Sequence, residues 1–248
     1  MARADYESLF RPLTSSPGSS ALASAVTPAI EASELYRFYH VGDDETQALR
    51  GVSMQVNSGE IVAVVGPSGS GKSTLMACLA GLDEPDGGFV YINGERLSRR
   101  DEVARTSLRA RSIGILLQSG NLFDHLTVQQ NVRLKLRLAG QNDEARIAEV
   151  LELVGIIKRH DAYPPHLSGG EAARAGLAVA LASKPPILIA DEPTGEVDAK
   201  TEQRILALFE QHRNNGGAIL IVTHSDAIAG RADRVIRLED GKIVKSRP

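Results

Sequence analysis

Ile61-Val62-Ala63-Val64-Val65-Gly66-Pro67-Ser68-Gly69-Ser70-Gly71-Lys72-Ser73-Thr74 is the stretch that decides the fold. The five apolar residues 61–65 read as a strand buried on both faces. A glycine-rich turn follows, and then a helical run over 73–82. Residues 66–73 fit G-x-x-x-x-G-K-[ST] in full, in the strand–turn–helix setting that gives the pattern its meaning. Glycines let the backbone wrap closely around phosphate oxygens, because other residues take those dihedral angles at a cost. Free N–H groups and the positive helix end then face the negative charge. Gly66 to Thr74 are therefore the expected nucleotide-binding residues. Lys72 would reach the β- and γ-phosphates, and the Ser73 hydroxyl would bind Mg²⁺. A Gly/Ser linker shares this composition but not the flanking strand and helix. By itself the pattern leaves kinase, GTPase, helicase and transporter open.

Outward from the loop, β runs are expected at 34–39, 48–56, 112–117, 187–190 and 218–222. Asn93-Gly94 closes a hairpin after 88–92, and Asp240-Gly241 joins 234–238 to 242–245. Helical spacing marks 127–138, 144–153, 169–183 and 201–212. Strands alternating with helices give an α/β fold with a mostly parallel core sheet. The part before the loop is expected to be an N-terminal antiparallel β part, and 122–166 reads as a helical subdomain. Residues 1–29, rich in Ser, Pro, Ala and Thr, read as a flexible tail ahead of a domain over 30–248.

The chain has 248 residues, 42% of them apolar, so it has material for a full core. Net charge is −3, with 28 basic and 31 acidic residues, which gives no electrostatic reason to expect a nucleic-acid partner. One cysteine, Cys78, rules out an intrachain disulfide and fits a reducing compartment. The longest apolar run, around 175–182, falls short of the roughly 20 residues that span a bilayer. Residues 21–26 are too few and too polar for a signal peptide. The expectation is a soluble chain whose membrane role, if it has one, runs through a partner.

Two further motifs narrow the chemistry. Ile187-Leu188-Ile189-Ala190-Asp191-Glu192 is an apolar strand ending in two acids, which are costly there unless a cation or a reaction uses them. Asp191 would hold Mg²⁺, directly or through water, and Glu192 would polarise an attacking water. Leu167-Ser168-Gly169-Gly170-Glu171 opens a helix and offers N–H groups and a hydroxyl at its positive end. That makes a second phosphate-binding surface in one chain, and one γ-phosphate does not need two such surfaces from one subunit.

On these motifs the sequence resembles the ABC ATPases, whose signature is LSGGQ or LSGGE. The resemblance covers about 31–245 and implies the P-loop NTPase fold of that family. In the family the signature caps the nucleotide held by the opposite subunit, so Ser168, Gly169, Gly170 and Glu171 become cofactor-binding residues. The resemblance also implies that Tyr39 stacks on adenine, although alone it is equally an ordinary strand tyrosine. Gln118 matches the glutamine that touches Mg²⁺ and senses the membrane partner, and would otherwise be a solvated loop residue. Asp198 matches an acid that crosses the dimer interface, a reading compatible with a helix N-cap. His224 matches the histidine that bonds the γ-phosphate and holds Glu192 and the water, whereas a lone strand-end histidine is usually structural. Lys72, Glu192 and His224 are the expected catalytic residues.

The sequence departs from the common pattern at Ala172-Ala173, at Val179 and at Glu196-Val197, and none of these removes a catalytic group. Segments 47–53, 81–85 and 108–114 look most like the macrolide-exporter, lipoprotein-release and FtsE group. The resemblance therefore implies an ATPase using ATP and Mg²⁺, forming a homodimer on the cytoplasmic face of a membrane and driving a separate permease. The alternative is a soluble ABC-type ATPase working on DNA or ribosomes. The chain has neither room for the coiled coil of the DNA-acting members nor the second cassette of the translation factors. A kinase or GTPase is disfavoured by 167–171 and by Tyr39.

Overall fold

The computed structural model describes residues 27–41, 44–195 and 197–247. Met1 to Val26, most of the expected tail, lie outside these, as does Glu196. Ala29, at the expected boundary, is 2% exposed, and its carbonyl accepts from the Asn93 N–H.

The strands form two sheets. In the first, β1 (Ile30–Val41), β2 (Asp44–Val56), β4 (Gly87–Ile92) and β5 (Glu95–Arg96) lie in the order β2-β1-β4-β5, every pair antiparallel. The second holds β3 (Ile61–Val65), β6 (Ile113–Leu116), β7 (Ile187–Asp191), β8 (Ala218–Val222), β9 (Arg234–Glu239) and β10 (Lys242–Arg247). Its order is β10-β9-β3-β8-β7-β6, parallel throughout except for the antiparallel β10 edge. The mostly parallel core sheet and the antiparallel N-terminal part expected from the sequence are both present.

The helices are α1 (Lys72–Leu79), α2 (Glu102–Ser112), α3 (Val128–Leu138), α4 (Glu144–Val154), α5 (Gly169–Leu181), α6 (Ala199–Asn214) and the short α7 (Asp226–Ala229). Strand alternation assigns them to two layers. On β7, Ile187 and Ile189 face a cluster that includes Leu75 and Leu79 of α1. Leu188 and Ala190 face the other cluster, with Leu177 of α5 and Ile205 and Phe209 of α6. A sheet covered on both faces needs continuous apolar strands, and β8, Ala-Ile-Leu-Ile-Val, is buried at every position. Such a sheet opens its ligand crevice at the C-terminal ends of its strands. Cys78 is buried in α1, and burial pushes its thiol up to about 12, so it is unreactive packing.

Several elements differ from the sequence reading: β1 begins at Ile30 and β2 at Asp44 rather than at 34 and 48, and α6 spans Ala199–Asn214 rather than 201–212. The first helix runs from Lys72 to Leu79 rather than over 73–82, because Gly81 turns the chain with φ +66°. Ser112, expected to open a strand, instead ends α2. The helix α2 was not anticipated at all: it buries just Leu108 and Ser112, too sparse for a visible apolar period.

Two cations, the buried Arg146 and the half-buried Lys135, join the helical part to the core. Arg146 of α4, 6% exposed, donates to Leu181 O and Ala182 O and so satisfies the end of α5. Lys135 of α3 donates through Nζ to Ala110 O and Ile113 O, each at 3.1 Å, where α2 passes into β6.

Candidate functional site

The loop between β3 and α1 is shaped by close backbone approaches. A Cβ on Gly66 would sit 2.1 Å from Leu238 O, and one on Gly71, at φ +98°, would sit 2.4 Å from Ala48 O. Neither position admits a side chain. Gly69 also has positive φ, but a Cβ there would meet nothing within 4 Å, and Gly69 lines the adjoining cavity. That cavity, about 420 Å³, is lined by Tyr39, Ala48, Gly69, Lys72, Ser73 and Thr74 among others. No side chain caps α1, and no acid occupies its first turn, so its N–H groups remain available to an anion. Lys72 Nζ folds back onto Gly66 O at 2.9 Å and Pro67 O at 2.8 Å.

Asp191 closes β7, half-buried. Burial first, and then the neighbouring Glu192, raise its carboxyl above the ordinary range, against the opposing pull of Lys72. A carboxyl in that state gains from a cation beside it. Among the described residues no three His, Cys, Asp or Glu groups converge to hold a metal. Ser73 and Asp191 carry hard oxygen donors, a chemistry that would suit Mg²⁺ with phosphate and water oxygens completing the shell.

Glu192 follows in the left-handed region, φ +44°, with its N–H tied to Val222 O at 2.9 Å. Its side chain reaches the residues that follow β8. Oε1 accepts the His224 N–H at 2.9 Å and sits 2.7 Å from His224 Nδ1, while Oε2 accepts from Thr223 Oγ1 at 3.1 Å. Thr223 is fully buried, and its oxygen also accepts the Ser225 N–H, so the hydroxyl proton is directed at the carboxylate. The site reading missed Thr223; a polar residue ending the apolar run of β8 was the available signal.

Ser168 caps α5 in a reciprocal box: its Oγ accepts the Glu171 N–H at 3.3 Å, and Glu171 Oε2 accepts the Ser168 N–H at 2.9 Å. Asp198 caps α6 by accepting from Lys200 N and Thr201 N. It also accepts from Thr201 Oγ1, which in turn accepts from Arg174 of α5 at 2.8 Å. A Cβ on Gly170 would lie 3.2 Å from Asp198 Oδ2, so the first turn of α5 rests on the cap of α6. Gly169, Gln118 and Glu192 line one cleft of about 570 Å³. Gln118 is exposed and does not line the cavity of the loop. Asn121 shapes its turn by bonding both the N–H and the carbonyl of Leu117. Tyr39 joins the loop cavity, 36% exposed.

The family model described as ABC transporter matches residues 49–195. The macrolide export ATP-binding/permease protein MacB of Shigella flexneri is 38% identical over 226 residues, covering 90% of this chain and 35% of that protein. The MacB protein of Escherichia coli K12 has the same identity and coverage. The chain thus spans about a third of the length of these curated relatives. Among solved structures, the dimeric structure of MJ0796, titled a bacterial ABC transporter cassette, superposes with a TM-score of 0.84 at 33% identity, over 88% of this chain and 97% of that one. A dimeric post-hydrolysis state of the same cassette with ADP and Pi gives 0.84 at 32% identity, over the same shares.

Proposed function

This chain belongs to the ABC transporter family of ATPases, and on that premise we propose that it hydrolyses MgATP within a dimer to drive a separate membrane permease. The observation that carries this reading is the triple hold on Glu192 by Thr223 and His224, next to a half-buried Asp191 and a phosphate loop with free helix N–H groups. Lys72 leaves the carbonyls of Gly66 and Pro67 for the β- and γ-phosphates, and Gly66 to Thr74 wrap the phosphates. Tyr39 stacks on the base. Ser73, Gln118 and Asp191 hold Mg²⁺, which supplies charge neutralisation on the phosphate oxygens when bound. Glu192 orients a water, whose oxygen bonds the γ-phosphorus as the bond to the β-phosphate oxygen breaks. The water proton goes to Glu192, and ADP and phosphate leave. His224 keeps Glu192 in line and reaches the γ-phosphate.

In this reading Ser168, Gly169, Gly170 and Glu171 cap the nucleotide bound to a second copy of the chain, and Asp198 stands at the same interface. Residues 30–248 form the cassette, with 1–29 dispensable for nucleotide binding. No helix among the described residues is long and apolar enough to cross a membrane, which fits attachment to the cytoplasmic face through the permease. The region 118–132, exposed at Phe123, is the docking site for the permease. Purification in mild detergent tests this directly: a co-purifying integral membrane protein that is lost on charge reversal at Asp124, with ATP binding retained, supports it. Equal damage to both counts against it.

A further inference from the structure

Arg37 of β1 is not among the residues that line the loop cavity, yet it holds Tyr39, the one aromatic side chain among the described residues that does. Its guanidinium makes a two-point pair with Asp83, Nε to Oδ2 at 2.9 Å and Nη2 to Oδ1 at 3.0 Å, and Nη1 reaches Asp86 Oδ2 at 3.0 Å. The Tyr39 hydroxyl donates to the same Asp83 oxygen at 2.9 Å. The Arg37 carbon Cζ lies 4.7 Å from the Tyr39 ring centroid, within cation–π range. The ring is therefore held at its hydroxyl by a carboxylate and on one face by a cation. Partial burial works against ionisation of Asp83, but the hydrogen bonds from Arg37 and Tyr39 outweigh it and hold the carboxyl below its ordinary range. Asp83 is itself fastened to α1: its N–H donates to Ala77 O at 3.2 Å in the last turn of the helix that begins with Lys72.

We propose that Arg37 is a positioning residue for the purine of a nucleoside triphosphate, presenting Tyr39 as a stacking platform fixed before the base arrives. The inference rests on the reading of Tyr39 given under the proposed function. A ring already ordered takes the base without the entropy cost of being ordered on binding. A cation on one face also draws electron density from the ring and favours stacking of an electron-rich purine on the other. Through Asp83 the platform and the phosphate loop share one rigid element, α1.

The test compares Arg37→Met, Tyr39→Ala and the double variant, with MgATP and magnesium tripolyphosphate as titrants in calorimetry. Arg37→Met keeps the apolar stem and loses the cation and both carboxylate pairs. It is expected to weaken ATP about three- to tenfold and to leave tripolyphosphate unchanged. Tyr39→Ala is expected to weaken ATP at least as much, and the double variant no further than Tyr39→Ala. If Tyr39→Ala weakens ATP but Arg37→Met does not, this inference falls and the Tyr39 reading stands. If Tyr39→Ala leaves ATP affinity intact, both fall. If Arg37→Met weakens ATP and tripolyphosphate alike, or adds its full effect on top of Tyr39→Ala, Arg37 acts on the fold or on charge, and the positioning role is overturned.

Discussion

The Nδ1 atom of His224 lies 2.7 Å from Oε1 of Glu192, so the histidine ring and the carboxylate that follows β7 form one unit. The ring is 77% exposed and the carboxylate 13%, which leaves the histidine as the outward-facing partner. If this unit positions the attacking water, Glu192→Gln keeps size and hydrogen bonding but removes the charge. Nucleotide binding survives, and hydrolysis falls by at least about a hundredfold. Uncleaved ATP then holds two chains together, giving a monomer without nucleotide and a dimer with MgATP in light scattering. Adding Ser168→Arg places a long side chain where the facing phosphates sit and returns the monomer, with ATP still bound. A dimer that survives the second change rejects the geometry.

Thr223 orients the other oxygen of that carboxylate. Thr223→Val is nearly isosteric at a fully buried position, but it deprives Glu192 of a donor and the Ser225 N–H of an acceptor. The expected result is a fall in kcat of about tenfold or more with KM for ATP little changed, and recovery in Thr223→Ser. Steady-state kinetics of the two variants decide it; a rise in KM alone removes Thr223 from the positioning of the base.

Lys72→Ala removes an ammonium whose bonds in the structure go to two loop carbonyls. Those carbonyls return to water at a cost of about 1 kcal/mol or less. ATP turnover is expected to collapse while circular dichroism stays native. Near wild-type turnover with a native spectrum sinks the role assigned to this residue.

Lys135 gives a prediction in pH. Burial, with a smaller push from Arg109, lowers its ammonium to about 8. In the unfolded chain it titrates near 10.5, so between these values the unfolded state binds more protons and stability rises with pH. Below about 8 both states are protonated and the burial penalty is constant. Urea unfolding of the wild type relative to Lys135→Met should therefore shift in favour of the wild type by on the order of 2 kcal/mol from pH 7.5 to 9.5. A flat difference places Lys135 in contact with water.

How much of this was legible follows from period and spacing. β3 and β8 are continuous apolar runs bounded by turn residues, and their limits match the sequence reading residue for residue. The α5 start was readable because Ser168 and Glu171 stand three apart, the spacing of a reciprocal cap. Missing from the sequence was anything carried by distant pairs. Arg37 and Asp83 are 46 positions apart and Thr223 and Glu192 are 31, and no local pattern links them. The helix α2 escaped because it buries just Leu108 and Ser112 and is otherwise held by polar contacts such as Arg105 with Glu84, which leave no apolar stripe.

The 13-residue helix α5 is clamped at both ends, by the Ser168–Glu171 box at its start and by the Arg146 guanidinium at its finish. Neither end is free to fray, so the helix behaves as a strut roughly 20 Å long. A displacement at the Arg146 end would therefore be shared with Ser168 by the whole rod instead of being absorbed by a loose terminal turn.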